Sequence, residues 1–247
     1  MKAMILAAGL GTRLRPLTND RPKALVEIAG HTLLEITIAR LRQFGVREII
    51  INVHHLAEMV IDYLKTKNNF GLRIEVSHED ILLDTGGGLK KAAWFFLEDG
   101  SAGAPFILHN VDVISNIDLG RLVEFHQQNQ AVATLAVQQR ESSRYLLFDE
   151  QMQLCGRRYV KEQRTEMARA AQHAEPLAFT GIHVISPRLL QMIEEEGVFS
   201  VIQSYLRLVG QGEKIIGSRA DGYWRDLGKP ENVARAAEEL RTKIQNL

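Results

Sequence analysis

Residues 1–30, MKAMILAAGLGTRLRPLTNDRPKALVEIAG, join a short apolar run to a glycine turn and then to several cationic side chains. The run AMILAA is typical of a strand that is buried on both faces, as in the parallel sheets of α/β proteins. Gly9 and Gly11 stand where this strand ends, and Arg13 and Lys23 follow. Glycines let a ligand approach main-chain N–H groups, while guanidinium and ammonium groups attract anions. The stretch therefore predicts an anion site at the end of the first strand.

Apolar runs and helical patterns alternate from this strand through the first half of the chain, as far as the strand PFILHNVDV. Such alternation is the signature of βαβ units. It predicts an α/β fold with a doubly wound, mostly parallel (Rossmann-like) mixed sheet and helices on both faces. The second half is less regular. YLLFDEQMQLCGRRYV resembles a β-hairpin or meander, and residues 161–176 predict either a short helix or a surface loop. We expect a small β-rich insertion there.

Length and composition limit the possible classes of protein. The 247 residues suit a single domain, and the 30 basic and 30 acidic side chains leave a formal net charge of zero. That balance argues against a partner held by bulk charge, such as nucleic acid or an anionic membrane. Cys155 is the only cysteine, which excludes an internal disulfide. Neither a signal-peptide pattern nor an apolar run of ~20 residues is present, so we expect a cytoplasmic protein.

A second motif is LLDTGGGLKKA, residues 82–92, in which three consecutive glycines open an apolar helical run. A glycine inside a helix costs about 1 kcal/mol relative to alanine. Three of them are reasonable at a helix N-terminus that lies flat against a ligand such as a nucleotide base. The alternative is a plain flexible turn.

A third motif places Asp112 at the carboxyl end of the strand PFILHNVDV, the edge of an α/β sheet where ligands bind. Asp226, in GYWRDLG, is a second candidate carboxylate. Together they could hold Mg²⁺ along with substrate phosphates, because Mg²⁺ usually binds one or two carboxylates, phosphate oxygens and water. Each aspartate alone is more simply a helix cap or a surface charge. The metal interpretation requires that the two meet in space.

Two common phosphate motifs are absent from the opening stretch. A dinucleotide fingerprint requires a third small residue where Leu14 stands, and the Gly-Lys-Ser/Thr of a P-loop does not occur there. Leu14 and the nearby cations therefore count against a nicotinamide-dependent oxidoreductase on a similar fold.

The segments AAGLGTRLRPLT, RPKAL, HED, DTGGG, HNVDV, FTGIHVIS and YWRDLGKPE follow one another over nearly the whole chain. With these segments the sequence resembles the sugar-1-phosphate nucleotidylyltransferases, also called NDP-sugar pyrophosphorylases. The short length and the LDTGGG form look most like the N-acetylmuramate-1-phosphate uridylyltransferases. The sequence resembles the mannose- and heptose-1-phosphate guanylyltransferases almost as closely.

The resemblance implies the transfer of a nucleotidyl group from a nucleoside triphosphate (UTP or GTP) to a sugar 1-phosphate, by Mg²⁺-assisted in-line attack with release of pyrophosphate. The partners would be these two substrates, without nucleic acid or membrane, for a monomer or a small homo-oligomer. A single domain over 1–247 would comprise a nucleotide-binding half (1–115), a sugar-phosphate-binding half (116–228) containing the β-rich insertion, and a C-terminal helix (229–247).

The resemblance also implies roles for individual residues. The catalytic residues would be Arg13, Lys23 and Asp112. The nucleotide would contact Ala8, Gly9, Gly11, Thr12, Arg13, Lys23, Glu79, Gly87 and Asn110. The sugar phosphate would contact Asn110, Thr180 and Gly181. Mg²⁺ would bind to Asp112 and Asp226.

Two segments depart from the family pattern. Most relatives carry Asn-Gly-Asp where this chain has Asn110-Val111-Asp112. The family's sugar-contacting Glu-Lys-Pro is also missing, and Lys161-Glu162-Gln163 is its nearest counterpart. The added isopropyl group of Val111 keeps open a second hypothesis, a catalytically impaired regulatory protein that still binds a nucleotide. The base, the sugar and the pathway stay open as well.

Overall fold

The computed structural model describes residues 1–98 and 103–243 of the chain. The strands are β1 (Lys2–Leu6), β2 (Glu27–Ile28), β3 (His31–Thr32), β4 (Glu48–Val53), β5 (Arg73–His78), β6 (Phe106–Asn110), β7 (Val113–Ser115), β8 (Ala133–Gln138), β9 (Arg144–Phe148), β10 (Leu154–Tyr159), β11 (Arg164–Met167), β12 (Glu175–Ile185), β13 (Ile215–Arg219) and β14 (Trp224–Asp226). The α-helices are α1 (Leu33–Gln43), α2 (Ala57–Thr66), α3 (Asp84–Lys91), α4 (Ala93–Leu97), α5 (Leu119–Asn129), α6 (Arg188–Gln191), α7 (Val201–Gly210) and α8 (Pro230–Lys243).

Ten of these strands form one sheet in the order β11-β10-β9-β12-β6-β1-β4-β5, with β8 paired to β12 and β13 paired to β8. The strands of the first half, β1, β4, β5 and β6, are parallel. Strand β12 runs antiparallel to β6, β8 and β9, and β9 to β11 form an antiparallel meander. The mixed sheet expected from the sequence is therefore confirmed, with its parallel part concentrated in the first half.

Helices cover both faces of this sheet and enclose two apolar clusters. Ala3 and Ile5 of β1 point into one cluster, which includes side chains of α1, α2 and α5. Met4 points into the other, with side chains of α3, α4 and α7. Because successive strand residues face opposite sides, a strand with two covered faces must be apolar throughout. This is the physical origin of the uninterrupted AMILAA run.

Two local expectations need correction. Residues 161–176 predicted a short helix or a loop, yet Arg164–Met167 form β11 and pair with β10. Strand β10 offers hydrogen-bonding groups along its edge, and this pairing overrides the weak local preference. The single helix expected after the three glycines is divided at Ala92 into α3 and α4.

The sheet brings several strand ends to one edge. Strands β1 and β6 are parallel, so Ala8 and Asp112, which follow them, lie at the same edge. Strand β8 is antiparallel to β12, which is itself antiparallel to β6. Strand β8 therefore runs in the direction of β6, and Arg140, just beyond its carboxyl end, lies at this edge too. Within 1–98 and 103–243, none of the helices has the length and apolar character needed to cross a bilayer.

Candidate active site

A cleft of about 330 Å³ opens where β1 and β6 end, and we call it the edge cleft. Its lining residues are Leu6, Ala8, Gly9, Lys23, Asn52, Leu82, Asp84, Thr85, Asn110, Val111, Asp112 and Val198. The cleft brings together five residues that the sequence predicted for the site: Ala8, Gly9, Lys23, Asn110 and Asp112. Thr12 and Arg13 are the exposed residues of a single turn, Thr12–Leu14, that follows β1.

Asp112 and Asp226 are neighbours although they come from opposite halves of the chain. Strand β14 pairs antiparallel with β7, so that Asp226 lies opposite Val113. The main-chain N–H of Leu227 donates a hydrogen bond of 2.8 Å to the Asp112 carbonyl. Burial raises the pKa of the Asp226 carboxyl, and the negative charge of Asp112 raises it further. The two carboxyl groups are thus close enough for the charge of Asp112 to change the pKa of Asp226.

Lys23 reaches the same point from another element. Its ammonium donates a hydrogen bond to Oδ2 of Asp112, and the two side chains are only 11% and 17% exposed. Gly11 permits this approach. Its φ is +65°, and a Cβ there would lie 2.9 Å from Thr18 Cγ2 and 3.3 Å from Lys23 Cβ. Gly11 is therefore required by the turn that positions Lys23.

The guanidinium of Arg13 lies close to Asp226. A Cβ added to Gly228 would be 2.8 Å from Asp226 Oδ1 and 2.9 Å from Arg13 Nη2, so the two groups border the same space. The charges of Lys23 and Arg13 both lower the pKa of Asp226, against the raising effect of burial. Two cations and two carboxylates therefore share this end of the cleft.

The donor set fits a single Mg²⁺ ion. Among the residues that the structure describes, no group of three or more His, Cys, Asp and Glu side chains could hold a metal. Asp112 and Asp226 would supply two carboxylates, and such a pair suits Mg²⁺, which usually binds one or two carboxylates together with phosphate oxygens and water. A divalent cation would also relieve the repulsion that raises the pKa of Asp226.

Glu79 lies behind the wall of the cleft. It is fully buried, and its Oε1 accepts a hydrogen bond from Asn52 Nδ2 at 2.7 Å while its Oε2 accepts one from the Leu83 N–H at 2.9 Å. Asn52 in turn accepts a hydrogen bond from the Ala7 N–H at 2.8 Å. Glu79 thereby holds together the two walls at β1 and α3. Direct nucleotide contact by Glu79 stays a prediction, and its bonding favours an indirect role.

The three glycines of α3 serve packing within the protein. A Cβ on Gly86 would lie 2.3 Å from the Phe199 ring, and one on Gly87 would lie 2.3 Å from the Gly197 carbonyl oxygen. The N–H groups of both glycines also donate to the Phe199 carbonyl. These glycines are needed because residues 197–199 cross the helix closely. The expected base contact at Gly87 stays a prediction, since the part of α3 that lines the cleft is Asp84 and Thr85.

The predicted sugar-side residues also come together. Gly181 has a φ of +82°, and a Cβ there would lie 2.8 Å from Asn110 Nδ2. Thr180 accepts a hydrogen bond of 2.7 Å at its carbonyl from the Trp224 indole N–H. Val111 is only 3% exposed and packs within the apolar core. Val111, which replaces the family glycine, therefore belongs to the apolar core and also lines the edge cleft.

The sequence reasoning missed Arg140 at this edge. Its guanidinium carbon lies 3.6 Å from the centroid of the Trp224 ring, and its Nη2 donates to the Phe179 carbonyl at 2.8 Å. The sequence did contain a signal for Arg140. Like Asp112, Arg140 is a charged side chain just beyond the carboxyl end of an apolar strand. Strand β8 belonged to the irregular half of the pattern, so its direction could not be inferred.

The fold and the edge cleft define the class: an α/β protein with an anion site and a carboxylate pair at the carboxyl edge of its sheet. The profile of the family described as Nucleotidyl transferase matches residues 2–243, and the chain belongs to this family, that of the sugar-1-phosphate nucleotidylyltransferases.

Two curated relatives illustrate the relationship. The chain is 34% identical to the N-acetylmuramate alpha-1-phosphate uridylyltransferase of Caulobacter vibrioides, over 97% of this chain and 96% of the relative. It is 30% identical to a mannose-1-phosphate guanyltransferase of Yarrowia lipolytica, over 94% of this chain and 62% of that protein. The chain therefore matches the first relative over nearly its whole length and spans less than two thirds of the second.

Solved structures share the fold. HddC from Yersinia pseudotuberculosis, complexed with GMP-PN, superposes with a TM-score of 0.76 at 22% identity, covering 97% of this chain and 99% of that one. A UDP-glucose pyrophosphorylase complexed with UDP-glucose gives a TM-score of 0.77 at 17% identity, covering 98% and 99%.

Proposed function

We propose that this enzyme transfers a nucleotidyl group from UTP or GTP to a sugar 1-phosphate, with release of pyrophosphate and formation of an NDP-sugar. The single observation that carries the proposal is the meeting of Asp112 and Asp226 beside Lys23. A carboxylate pair with an adjacent ammonium is what two phosphate substrates and one divalent cation require.

The reaction joins two anions, so the protein must overcome their repulsion and stabilise the leaving pyrophosphate. A sugar-phosphate oxygen attacks the α-phosphorus in line, and the new P–O bond forms as the bond to pyrophosphate breaks. Arg13 and Lys23 would attract the triphosphate, and the main-chain N–H groups near Ala8 and Gly9 would hold it. Such fixed charges and donors act by positioning and by electrostatics.

Mg²⁺ would be held by Asp112 and Asp226, and it would supply charge neutralisation at the phosphates. Asn110, Thr180 and Gly181 would contact the sugar phosphate. Gly181 packs against Asn110 and Val113, on either side of Asp112 in the chain, and Thr180 accepts from Trp224, two residues before Asp226. We assign nucleotide binding to residues 1–115 and sugar-phosphate binding to residues 116–228 of one domain. The expected C-terminal helix, 229–247, corresponds to α8 (Pro230–Lys243), and its last four residues lie outside the described part of the chain. We expect a cytoplasmic monomer or small homo-oligomer.

The identity of the base is a choice between uracil and guanine. The relative from Caulobacter vibrioides is named a uridylyltransferase, and the one from Yarrowia lipolytica a guanyltransferase. Their names also suggest the two sugar phosphates to try first, N-acetylmuramate 1-phosphate and mannose 1-phosphate.

A panel assay tests the proposal. Pyrophosphate release is measured with UTP, GTP and CTP, each combined with the two sugar 1-phosphates and Mg²⁺. One combination is expected to give turnover that the Asp112→Asn variant loses. The second hypothesis, a regulatory protein without turnover, predicts that a nucleotide raises the melting temperature while every combination leaves pyrophosphate at background. That result would overturn the proposed activity.

A further inference from the structure

We propose that Arg140 binds the phosphate group of the sugar 1-phosphate, an assignment that rests on the proposed function. Arg140 follows β8 at the sheet edge where Asp112 follows β6. It belongs to the irregular second half of the sheet, on the side of Thr180 and Trp224. A cation at this place would act on the second substrate and not on the triphosphate.

Arg140 forms no ion pair among the residues that the structure describes. Within residues 1–98 and 103–243, no carboxylate oxygen lies within 4 Å of its guanidinium, although the residue is half-buried. Its Nη1 and Nη2 donate to main-chain carbonyls, and its buried Nε has no hydrogen-bond partner. By contrast, the half-buried Arg207 and Arg225 are each paired with a glutamate. A partly desolvated cation without an ion-pair partner is stabilised when an anionic ligand approaches.

Trp224 fixes the guanidinium in place. The guanidinium stacks on the indole ring at 3.6 Å, and the indole N–H donates to the Thr180 carbonyl at 2.7 Å. Trp224 precedes Asp226 by two residues on β14, so both side chains lie on the same face of that strand. The negative charge of Asp226 also acts on the guanidinium. Arg140 therefore stands beside the carboxylate pair, already oriented.

A phosphate is the chemical group that suits this position. Asp112 and Asp226 repel any anion that approaches them without a metal, and a neighbouring guanidinium offsets this repulsion with a planar fork of donors. The alternative cation on this side, Lys161, lies in the exposed turn after β10. The sugar phosphate has to reach the carboxylate pair, and Arg140 lies at this edge of the sheet, stacked on Trp224 two residues before Asp226.

Steady-state kinetics measure the effect of an Arg140 substitution on each of the two substrates separately. Arg140→Met is expected to raise the KM for mannose 1-phosphate, or whichever sugar 1-phosphate the wild-type enzyme uses, by about 10- to 100-fold, the range of a charge-assisted hydrogen bond. The KM for the triphosphate stays within about 3-fold. Arg140→Lys keeps the charge and is expected to give an intermediate KM. Arg144→Met is the matched control, because Arg144 is an exposed arginine on β9 and is expected to leave both constants unchanged.

Fluorescence tests the contact without turnover. The sequence has two tryptophans, Trp94 and Trp224, so Trp94→Phe leaves Trp224 as the only indole reporter. Inorganic phosphate and mannose 1-phosphate are expected to change its emission saturably, whereas mannose does not. The change should disappear when Arg140→Met is added. If the methionine variant does not fold, Arg140→Lys replaces it and is expected to require a higher phosphate concentration for the same change.

The outcomes distinguish this inference from the proposed function. A wild-type enzyme that turns over while both Arg140 variants keep its KM for the sugar phosphate would overturn the inference alone. An emission change that mannose produces equally well would overturn it too. A wild-type protein without turnover on any substrate combination would overturn the proposed function, and the phosphate titration would still decide whether Arg140 is an anion site.

Discussion

The ammonium of Lys23 is hydrogen-bonded to the carboxylate of Asp112, although 89 positions of the chain separate them. Lys23 lies in a single turn after the first strand, and Asp112 lies just beyond β6. This pair holds a cation against one of the two carboxylates that we propose as metal ligands. In the proposed reaction the ammonium would instead donate to a phosphate oxygen of the triphosphate.

Removal of this ammonium tests its part in the reaction. Lys23→Ala is expected to lower kcat/KM by about 10²- to 10³-fold, the usual cost of losing a preorganised charge at a reacting group. Circular dichroism should show an unchanged fold. Lys65→Ala, at a lysine that is 68% exposed on α2, is the control and should keep full activity. Unchanged turnover in a folded Lys23→Ala protein would refute the proposed role.

A charge-neutral replacement of Asp226 tests the metal site. Asp226→Asn keeps an oxygen for the Gly228 N–H, which now donates to Asp226 Oδ1 at 2.7 Å, but it removes one of the two close negative charges. The variant should fold. Mg²⁺ with nucleotide is expected to raise the melting temperature of the wild type but not that of Asp226→Asn. Asp221→Asn, at an exposed aspartate in the turn before β14, should retain the full Mg²⁺ effect. An identical Mg²⁺ titration in the wild type and Asp226→Asn would contradict the assignment.

Two glycine-to-alanine variants separate ligand access from packing. A Cβ on Gly9 would meet no protein atom within 4 Å, so Gly9→Ala should fold normally and lose affinity for the triphosphate. Gly86→Ala would push a methyl group into the Phe199 ring, and overpacking of this kind typically costs 1–3 kcal/mol. Urea unfolding should therefore show a loss for Gly86→Ala only. A full triphosphate affinity in Gly9→Ala would exclude a close main-chain approach at that glycine.

Buried histidines make the stability depend on pH. Burial lowers the pKa of His109 and His126 to about 4 and that of His183 to about 3. An unfolded chain protonates its histidines near pH 6.5, before the folded protein does. The stability that these neutral side chains contribute is therefore complete above pH 6.5, and it is lost as the pH falls towards their folded-state pKa values.

The slope of the unfolding free energy against pH follows from the number of protons that the buried histidines bind on unfolding. Three such histidines give a slope of about 4 kcal/mol per pH unit near pH 5, since each proton accounts for about 1.4 kcal/mol per unit. Urea unfolding between pH 7.5 and 4.5 measures it. His126→Asn, at a histidine that bonds to Thr134 and Ser186, should reduce the slope by about a third. A stability that is flat across this range would contradict the prediction.

The local sequence accounted for the parallel half of the molecule. The apolar AMILAA run became β1 because both faces of the sheet are covered, and the alternation that follows it became the βαβ order. Gly9 and Asp112 could be assigned to one edge, since the carboxyl ends of parallel strands coincide. Such inferences succeed because strand burial and helix periodicity are properties of neighbouring residues.

Tertiary structure decided the rest of the site. Asp226 meets Asp112 only because β14 returns to pair with β7, and Arg140 reaches the same edge only because β8 lies beside β12. Glycines 86–88 predicted a helix N-terminus against a ligand, but Gly86 and Gly87 pack against residues 197–199, and Gly88 packs against Glu79 and Asn52. The sequence by itself determined the fold class. It also pointed to the cationic turn after β1 and to each of the two carboxylates separately. Pairings between strands that are distant in the sequence brought these residues together. The register of such pairings depends on the packing of the whole chain, so no local sequence pattern reveals it.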